Sequence, residues 1–303
     1  MEEIYLGYYL SLRFDKRFVT MPNNLTNVLL CPICKALLLK SSEKNFGCAA
    51  NHNFDLAKEG YLNLLPVQKK NSKNPGDNKE MIAARRSFLE MGYYNPLVKK
   101  IAEIINAEND NSEQKIILDA GCGEGYYSAK ILERITGDKT ALGFDISKYA
   151  VKLAAKKYPA NFYFVGSVYD MPIKENSIDI IVSVFAPVSM PEFYKILKNK
   201  GQLIVVSAGP EHLKEIAGLV YETFKPHPFN LPHKLNGLFE IVETQELIFN
   251  ILLNNKKDLL SLLKMTPYYW SASKERQNAF EELEQLNVTC DFKISVLNKI
   301  GIW

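Results

Sequence analysis

The sequence predicts an α/β protein, a parallel sheet with helices on both faces, preceded by a small cysteine-rich module. Three observations predict it. Short apolar runs alternate with amphipathic segments after Ser112, a glycine-rich turn follows the first of those runs, and two Cys/His clips lie in the first part of the chain. The 303 residues, 47% of them hydrophobic, suffice for one full α/β core and an appendage, which excludes disordered and fibrous classes. Residues 4–12 are apolar, but the stretch is short, tyrosine-rich and followed by Arg13, Asp15, Lys16 and Arg17, so it makes a poor signal peptide. No run reaches membrane-helix length, and the expectation is a soluble cytoplasmic protein without a membrane partner.

The elements follow in order. Residues 1–24 are read as an extension without assigned structure, and Met21 offers a second start. Residues 25–66 hold the Cys/His clips and the run FDLAKEGYLNLLP from Phe54, and residues 67–80 are a polar linker or flexible loop with a turn at Pro75-Gly76. From Met81 the pattern is helical through Ile82, Phe88, Leu89, Leu97, Ile101, Ile104 and Ile105, with a second helix starting at Asn95-Pro96. Strands are expected at 115–120, 140–145, 162–167, 178–185 and 202–207, separated by helices such as KYAVKLAAKKY from Lys148 and PEFYKILKNK from Pro191. The C-terminal part offers a strand at Glu246 (ELIFNILL), helices at Asp258 and Glu275, and a last strand from Val288; 81–303 is thus read as one body.

The motif LDAGCGEG, 118–125, joins a strand to a helix. Its glycines, Gly121, Gly123 and Gly125, allow a tight turn and close backbone approach, and the helix start offers free amide donors. Dinucleotide sites use G-x-G-x-x-G; here the form is G-x-G-x-G after an acid, Asp119, as in class I (Rossmann-like) methyltransferases that bind S-adenosylmethionine. The next strand ends in Asp145, where a carboxylate can accept both ribose hydroxyls. Later strand ends border the same crevice, which puts Ser167 and Val168 beside the adenine and Phe185-Ala186-Pro187 beside the methyl group. His212 opens a helix at this edge and is either a ligand contact or a cap.

Cys31-x-x-Cys34 and Cys48-x-x-x-His52 give four ligands in two clips, a set suited to one tetrahedral, structural zinc ion. A redox CxxC or unrelated thiols are the alternatives. Cys122 and Cys290 read as packing residues. The first 100 residues hold 15 Lys and Arg against 9 Asp and Glu, whereas the whole chain carries only +3. Such a basic front end is either a face for a polyanion or a solvated one.

CPIC, Cys48 with His52, FDLAKEGYLNLLPVQ, PGDNKEM, ARRSFLEMGYYNPL, LDAGCGEGYYS, GFDISKYAVKLAAKKYP, FAP, GPEHL and MTPYYW together make the chain resemble the RlmA family of 23S rRNA (guanine-N(1)) methyltransferases from about Leu29 onward. The resemblance implies a zinc-ribbon-like N-terminal domain that recognises RNA, held by Cys31, Cys34, Cys48 and His52. It also implies S-adenosylmethionine contacts at Tyr94, Gly123, Glu124 and His212, a guanine in a domain II hairpin of 23S ribosomal RNA as target, and a homodimer. Without it, Tyr94 would read as a packing residue. The family's GHY stands here as Gly92-Tyr93-Tyr94.

Methyl transfer from a sulfonium chiefly requires alignment and exclusion of water, plus an acceptor for the guanine ring proton. No residue is singled out as that acceptor; Glu80 is one candidate. The segment FAPV lacks the Asn/Asp-Pro-Pro-aromatic pattern of exocyclic-amine enzymes and the Pro-Cys pair of pyrimidine-carbon enzymes. Lys35, Lys69, Lys70, Lys73, Arg85 and Arg86 are candidate phosphate contacts, and Tyr268, Tyr269 and Trp270 either stack a base or pack domains. Two other functions compete: a small-molecule methyltransferase, which needs neither zinc nor a basic front end, and a non-catalytic rRNA-binding module, which needs no intact glycine loop.

Overall fold

The computed structural model describes residues 25, 27–69, 75–107, 114–221 and 225–301. The expected extension over 1–24, and Lys70 and Lys73 of the basic loop, lie outside them. The N-terminal module is a small antiparallel sheet in which β1 (Leu39–Ser42) and β2 (Asn45–Gly47) lie between the two Cys/His clips and β3 (Asn53–Asp55) follows the second. It has little core of its own. Its Phe46 is fully buried and meets Phe162 of the main body at 6.2 Å, and backbone bonds from Leu30 to Pro172 and from Lys174 to Val28 dock its first residues.

The next strand, β4 (Tyr61–Asn63), leaves the module and pairs in parallel with the edge of the main sheet. Although it falls within 25–66, it belongs to the larger sheet; three residues are too few to show an alternation. Helices α1 (Lys79–Glu90) and α2 (Asn95–Ala107) follow. Asn78 caps the first by accepting the Met81 amide, so the helix starts two residues before Met81. The apolar stripe Leu97, Val98, Ile101, Ala102, Ile104 and Ile105 buries the second.

The centre of the sheet is β5 (Lys115–Ala120), β6 (Lys139–Asp145), β7 (Phe162–Val165), β8 (Ile178–Val184) and β9 (Leu197–Ala208), all in parallel. These read as nearly continuous apolar runs because both faces are covered: Ile204 and Val206 of β9 enter one apolar layer, Leu203 and Val205 the other. Helices α3 (Tyr126–Leu132), α4 (Lys148–Lys157), α5 (Met190–Ile196) and α6 (Lys214–Val220) make the crossovers. The helix expected over PEFYKILKNK stops at Ile196, since Leu197 pairs with Ile178 and Gly201 lies against the Asp179 carbonyl, a position a Cβ would invade at 2.8 Å.

The sheet is not wholly parallel. A long hairpin-like pair, β10 (Phe239–Leu253) and β11 (Leu286–Lys299), closes one edge, with β11 antiparallel to both β9 and β10. Helices α7 (Lys256–Lys264), α8 (Pro267–Ser271) and α9 (Lys274–Glu281) bridge the pair. The resulting strand order is β10-β11-β9-β8-β5-β6-β7-β4. The reversal between β5–β8 and β5–β6 opens a crevice over the C-terminal ends of the central strands, the place where open α/β sheets bind ligands.

Candidate functional site

Gly121, Gly123 and Gly125 all adopt left-handed backbone angles, with φ of 81°, 55° and 85°. A Cβ on Gly121 would collide with Ala186 Cβ, so this glycine brings the loops after β5 and β8 together. A Cβ on Gly123 would instead meet nothing nearer than Arg85 Nη1 at 3.9 Å. That glycine leaves backbone bare on the crevice side. The Gly123 amide donates to Asp145 Oδ2 at 3.0 Å, and the Ser147 amide to Oδ1 at 2.7 Å. Both bonds fix the carboxylate plane and leave each oxygen a further lone pair. Burial nevertheless raises the Asp145 pKa, an effect opposed by those two amides.

Ser167 and Val168 are half-buried in the loop after β7, which is tied to the end of β6 by the Gly166 amide on the Asp145 carbonyl at 3.1 Å. On the other side, Gly76 packs on Ile146 and Ser147, and Asp77 accepts a bond from Arg85 at 2.5 Å. The start of α1 thereby lies against the loop that carries Asp145.

Asp119 and Glu124 behave differently from one another. Asp119 accepts a hydrogen bond from Ser128 of α3, and burial raises its pKa to about 6. It ties the glycine turn to its helix from below. Glu124 is only 2% exposed, and its Oε2 has no hydrogen-bond partner among the described residues. Burial lifts its pKa to about 7 against the pull of Lys157, Arg85 and Arg86. A buried carboxylate oxygen without a donor is costly unless a ligand supplies one.

The opposite wall is aromatic. Tyr94 sits edge-on to Phe88 and to Phe292, each at 5.1 Å, with its hydroxyl buried beside the Cys290 thiol. His212 lies in the turn before α6, where its Nδ1 accepts the Asp291 amide of β11 at 3.2 Å. With Nδ1 an acceptor, the proton of the neutral ring is on Nε2. Burial, reinforced by His227, lowers the His212 pKa to about 3, so the ring is neutral throughout the physiological range. Its neighbours are Phe292 at 4.9 Å, Phe185 at 5.5 Å and Tyr94 at 6.4 Å.

Contacts thus run from Tyr94 through His212 and Phe185 to the Ala186–Gly121 junction, and from Gly123 through Asp145 to the loop of Ser167 and Val168; Gly125 faces Tyr158, Ala154 and Tyr163 instead, and Asp119 holds Ser128. Tyr93, where the family has histidine, instead donates to Asp258 at 2.7 Å and holds α7 to the turn between α1 and α2. The aromatic trio is divided. Tyr269 is core, Trp270 donates to the Lys264 carbonyl, and only Tyr268 approaches the crevice, bonding His227 Nε2 at 2.9 Å. Glu80 is an exposed partner of Lys264, Arg86 pairs with Glu90, and Lys35 and Lys69 both bind Asp170. Sequence reasoning overlooked Asp291 and Phe292, which β11 delivers beside His212. The one available signal was an aspartate inside an otherwise β-favouring run.

Cys31, Cys34, Cys48 and His52 present ligand atoms that all lie within 4.8 Å of one another. Cys31 Sγ to His52 Nδ1 is 3.5 Å, Cys34 Sγ to Cys48 Sγ 3.5 Å, and Cys48 Sγ to His52 Nδ1 3.4 Å. A tetrahedron with metal–sulfur bonds of about 2.3 Å separates its ligands by about 3.5–3.8 Å. The four residues therefore fit zinc, and with all four positions filled the ion is structural. A left-handed residue follows the first clip, Lys35, and another, Asn51, lies inside the second.

Residues 29–73 match the family described as the RlmA N-terminal zinc ribbon, and residues 117–203 match a methyltransferase domain. The decisive relative is the 23S rRNA (guanine(748)-N(1))-methyltransferase of Streptomyces fradiae, 34% identical over 197 residues, covering 65% of this chain and 69% of that protein. The chain belongs to the RlmA family of rRNA methyltransferases. A Bacillus subtilis protein described as a putative 23S rRNA (guanine-N(1)-)-methyltransferase is 29% identical over 88% of this chain and 95% of its own length. By contrast, a malonyl-[acyl-carrier protein] O-methyltransferase of Hamiltonella defensa is 32% identical over only 33% of this chain. As an RlmA-family methyltransferase the chain uses S-adenosylmethionine, and the crevice suits it: bare backbone at Gly123, a fixed carboxylate at Asp145, and an unpaired buried oxygen on Glu124.

Proposed function

We propose that the protein methylates the ring N(1) of a guanine in a domain II hairpin loop of 23S ribosomal RNA. The observation that carries this reading is the extent of the likeness. Similarity to guanine-N(1) enzymes runs over zinc ribbon and catalytic body alike, covering 88% of the chain, whereas similarity to acyl-carrier O-methyltransferases covers 33% to 48% of it. A small-molecule methyltransferase would have no use for the ribbon.

When bound, the cofactor supplies an electrophilic methyl group on sulfur, and the chain's own residues do the positioning. Asp145 accepts the ribose hydroxyls, its plane held by the Gly123 and Ser147 amides. Glu124 takes the amino-acid ammonium, and the neutral His212 offers its Nε2 hydrogen. Tyr94 supplies a hydroxyl to the same end of the crevice. Ser167 and Val168 flank the adenine, Asp119 supports the turn, and Gly121 and Gly125 shape it. His212 does not take the guanine proton, because burial holds its pKa near 3 and its Nδ1 is already occupied. Glu80 is likewise spoken for by Lys264.

The zinc ribbon, residues 25–66, serves as the RNA-recognition domain, 67–80 as a linker, and 81–303 as the methyltransferase domain. The target assigns the work to the cytoplasm, and the family resemblance implies a homodimer. Among the described residues no helix is long and apolar enough to cross a membrane. Incubation with unmodified 23S rRNA and methyl-labelled cofactor, followed by digestion to nucleosides, tests the reading. Label in 1-methylguanosine supports it; label only in another nucleoside, or none in RNA, overturns it.

A further inference from the structure

Phe185 follows β8 in a left-handed conformation, φ 54°, which an aromatic residue rarely adopts. Its amide bonds the Val206 carbonyl at 3.0 Å, so the conformation is pinned by the sheet. Its effect is to turn the ring outward. Phe292 is fully buried, His212 is 7% exposed and Phe185 is 46% exposed, and the three rings form a graded pile from core to solvent. Phe185 lies over His212 at 5.5 Å with an interplanar angle of 30°, and meets Phe292 at 5.8 Å with its ring tilted by 57°. Among the described residues no other ring contacts it.

The next residue, Ala186, touches Gly121 of the cofactor loop. The open ring is therefore one residue from the wall of the methyl-donor crevice. A guanine reached in a hairpin loop has to leave its stack, and a flat apolar face at the reaction site replaces the stacking it loses. We infer that the outer face of Phe185 is the platform on which the target purine stacks, with His212 as the near-parallel backing of its ring and the buried Phe292 wedged against both. The inference rests on the RNA-guanine reading above. It also assigns the backbone strain a purpose: a residue in the ordinary β region at this position would turn its side chain back toward the sheet.

The test uses the full-length protein, an unmodified 23S rRNA transcript and labelled S-adenosylmethionine. Phe185→Leu is expected to lower kcat/KM for RNA by about 10- to 100-fold, the range that loss of one base–aromatic stack produces. Phe185→Tyr, which keeps a ring face, recovers most of that loss. Cofactor affinity, measured by calorimetry, falls by a clearly smaller factor than RNA activity in Phe185→Leu and hardly changes in Phe185→Tyr, because the Gly121–Ala186 contact is kept in both and the ring against His212 in the second. Phe185→Gly relieves the left-handed strain, so its melting temperature stays at or above that of Phe185→Leu while its RNA activity is the lower. The inference is overturned if Leu and Tyr variants are equally active, or if RNA activity falls only in step with cofactor affinity. Wild-type enzyme that binds cofactor but methylates no guanine would sink the functional reading instead, and the two failures are thus distinct.

Discussion

Replacing Glu124 by glutamine separates the stability of the empty protein from its affinity for cofactor. The side chain is 2% exposed, one oxygen lacks a donor, and burial raises the pKa from 4.5 to about 7. A folded-state pKa above the unfolded one means that the folded protein holds the proton more tightly. Stability from this group is therefore full below pH 4.5 and is lost as pH rises through 7. At about 1.4 kcal/mol per pKa unit, the loss approaches about 3 kcal/mol at pH 8. Glu124→Gln removes the charge and keeps the shape, so it is expected to stabilise the cofactor-free protein at pH 8 by about 2–3 kcal/mol, a midpoint gain of about 5 °C. At pH 5 the two proteins differ little. The same variant loses about 10- to 100-fold in cofactor affinity, the worth of a charged hydrogen bond. Denaturant melts at pH 5, 6, 7 and 8 with calorimetric titrations provide both numbers. A stability difference that does not change with pH, or unaltered cofactor affinity, would refute the assignment of Glu124 as a ligand-seeking carboxylate.

Gly121→Ala is expected to disrupt the junction with Ala186 and lower the melting temperature, whereas Gly123→Ala costs the fold only about 1 kcal/mol yet abolishes measurable cofactor binding; melts and calorimetry compare them. Chelation, or Cys31→Ser, should release one zinc per chain and unfold the ribbon while the main sheet survives, as read by metal analysis and hydrogen exchange. His212 stays neutral down to about pH 3, whereas an unfolded histidine protonates near 6.5. Stability is therefore present above 6.5 and lost below it, and the wild type should lose about 2 kcal/mol relative to His212→Asn between pH 7 and 5 in denaturant melts.

The parts of the fold with strong local signals were legible in the sequence. KIILDA and its four successors read as strands because burial on both faces makes them continuous apolar runs, and each Cys/His clip announces itself by chelate spacing. The glycine loop and Asp145 were legible because one needs left-handed backbone and the other ends a strand. What escaped depended on contacts distant in sequence. β4 is three residues long and is a strand only because β7 lies beside it. The mixed character of the sheet comes from β11 inserting between β9 and β10, which no local pattern encodes. The meeting of His212 with Asp291 and Phe292, 79 and 80 positions along the chain, follows from that same insertion. Phe185 was placed beside the methyl group by its strand end, but its outward turn became visible only with the backbone angles.

Primer extension along 23S rRNA from a reaction with purified enzyme and S-adenosylmethionine tests the central claim most directly, since a methyl on guanine N(1) blocks the pairing edge that reverse transcriptase reads. The expected result is a new, cofactor-dependent stop at a guanine in the domain II hairpin, absent when Asp145→Ala replaces the wild type. Full-length extension through that hairpin, with cofactor demonstrably bound to the enzyme, would contradict it.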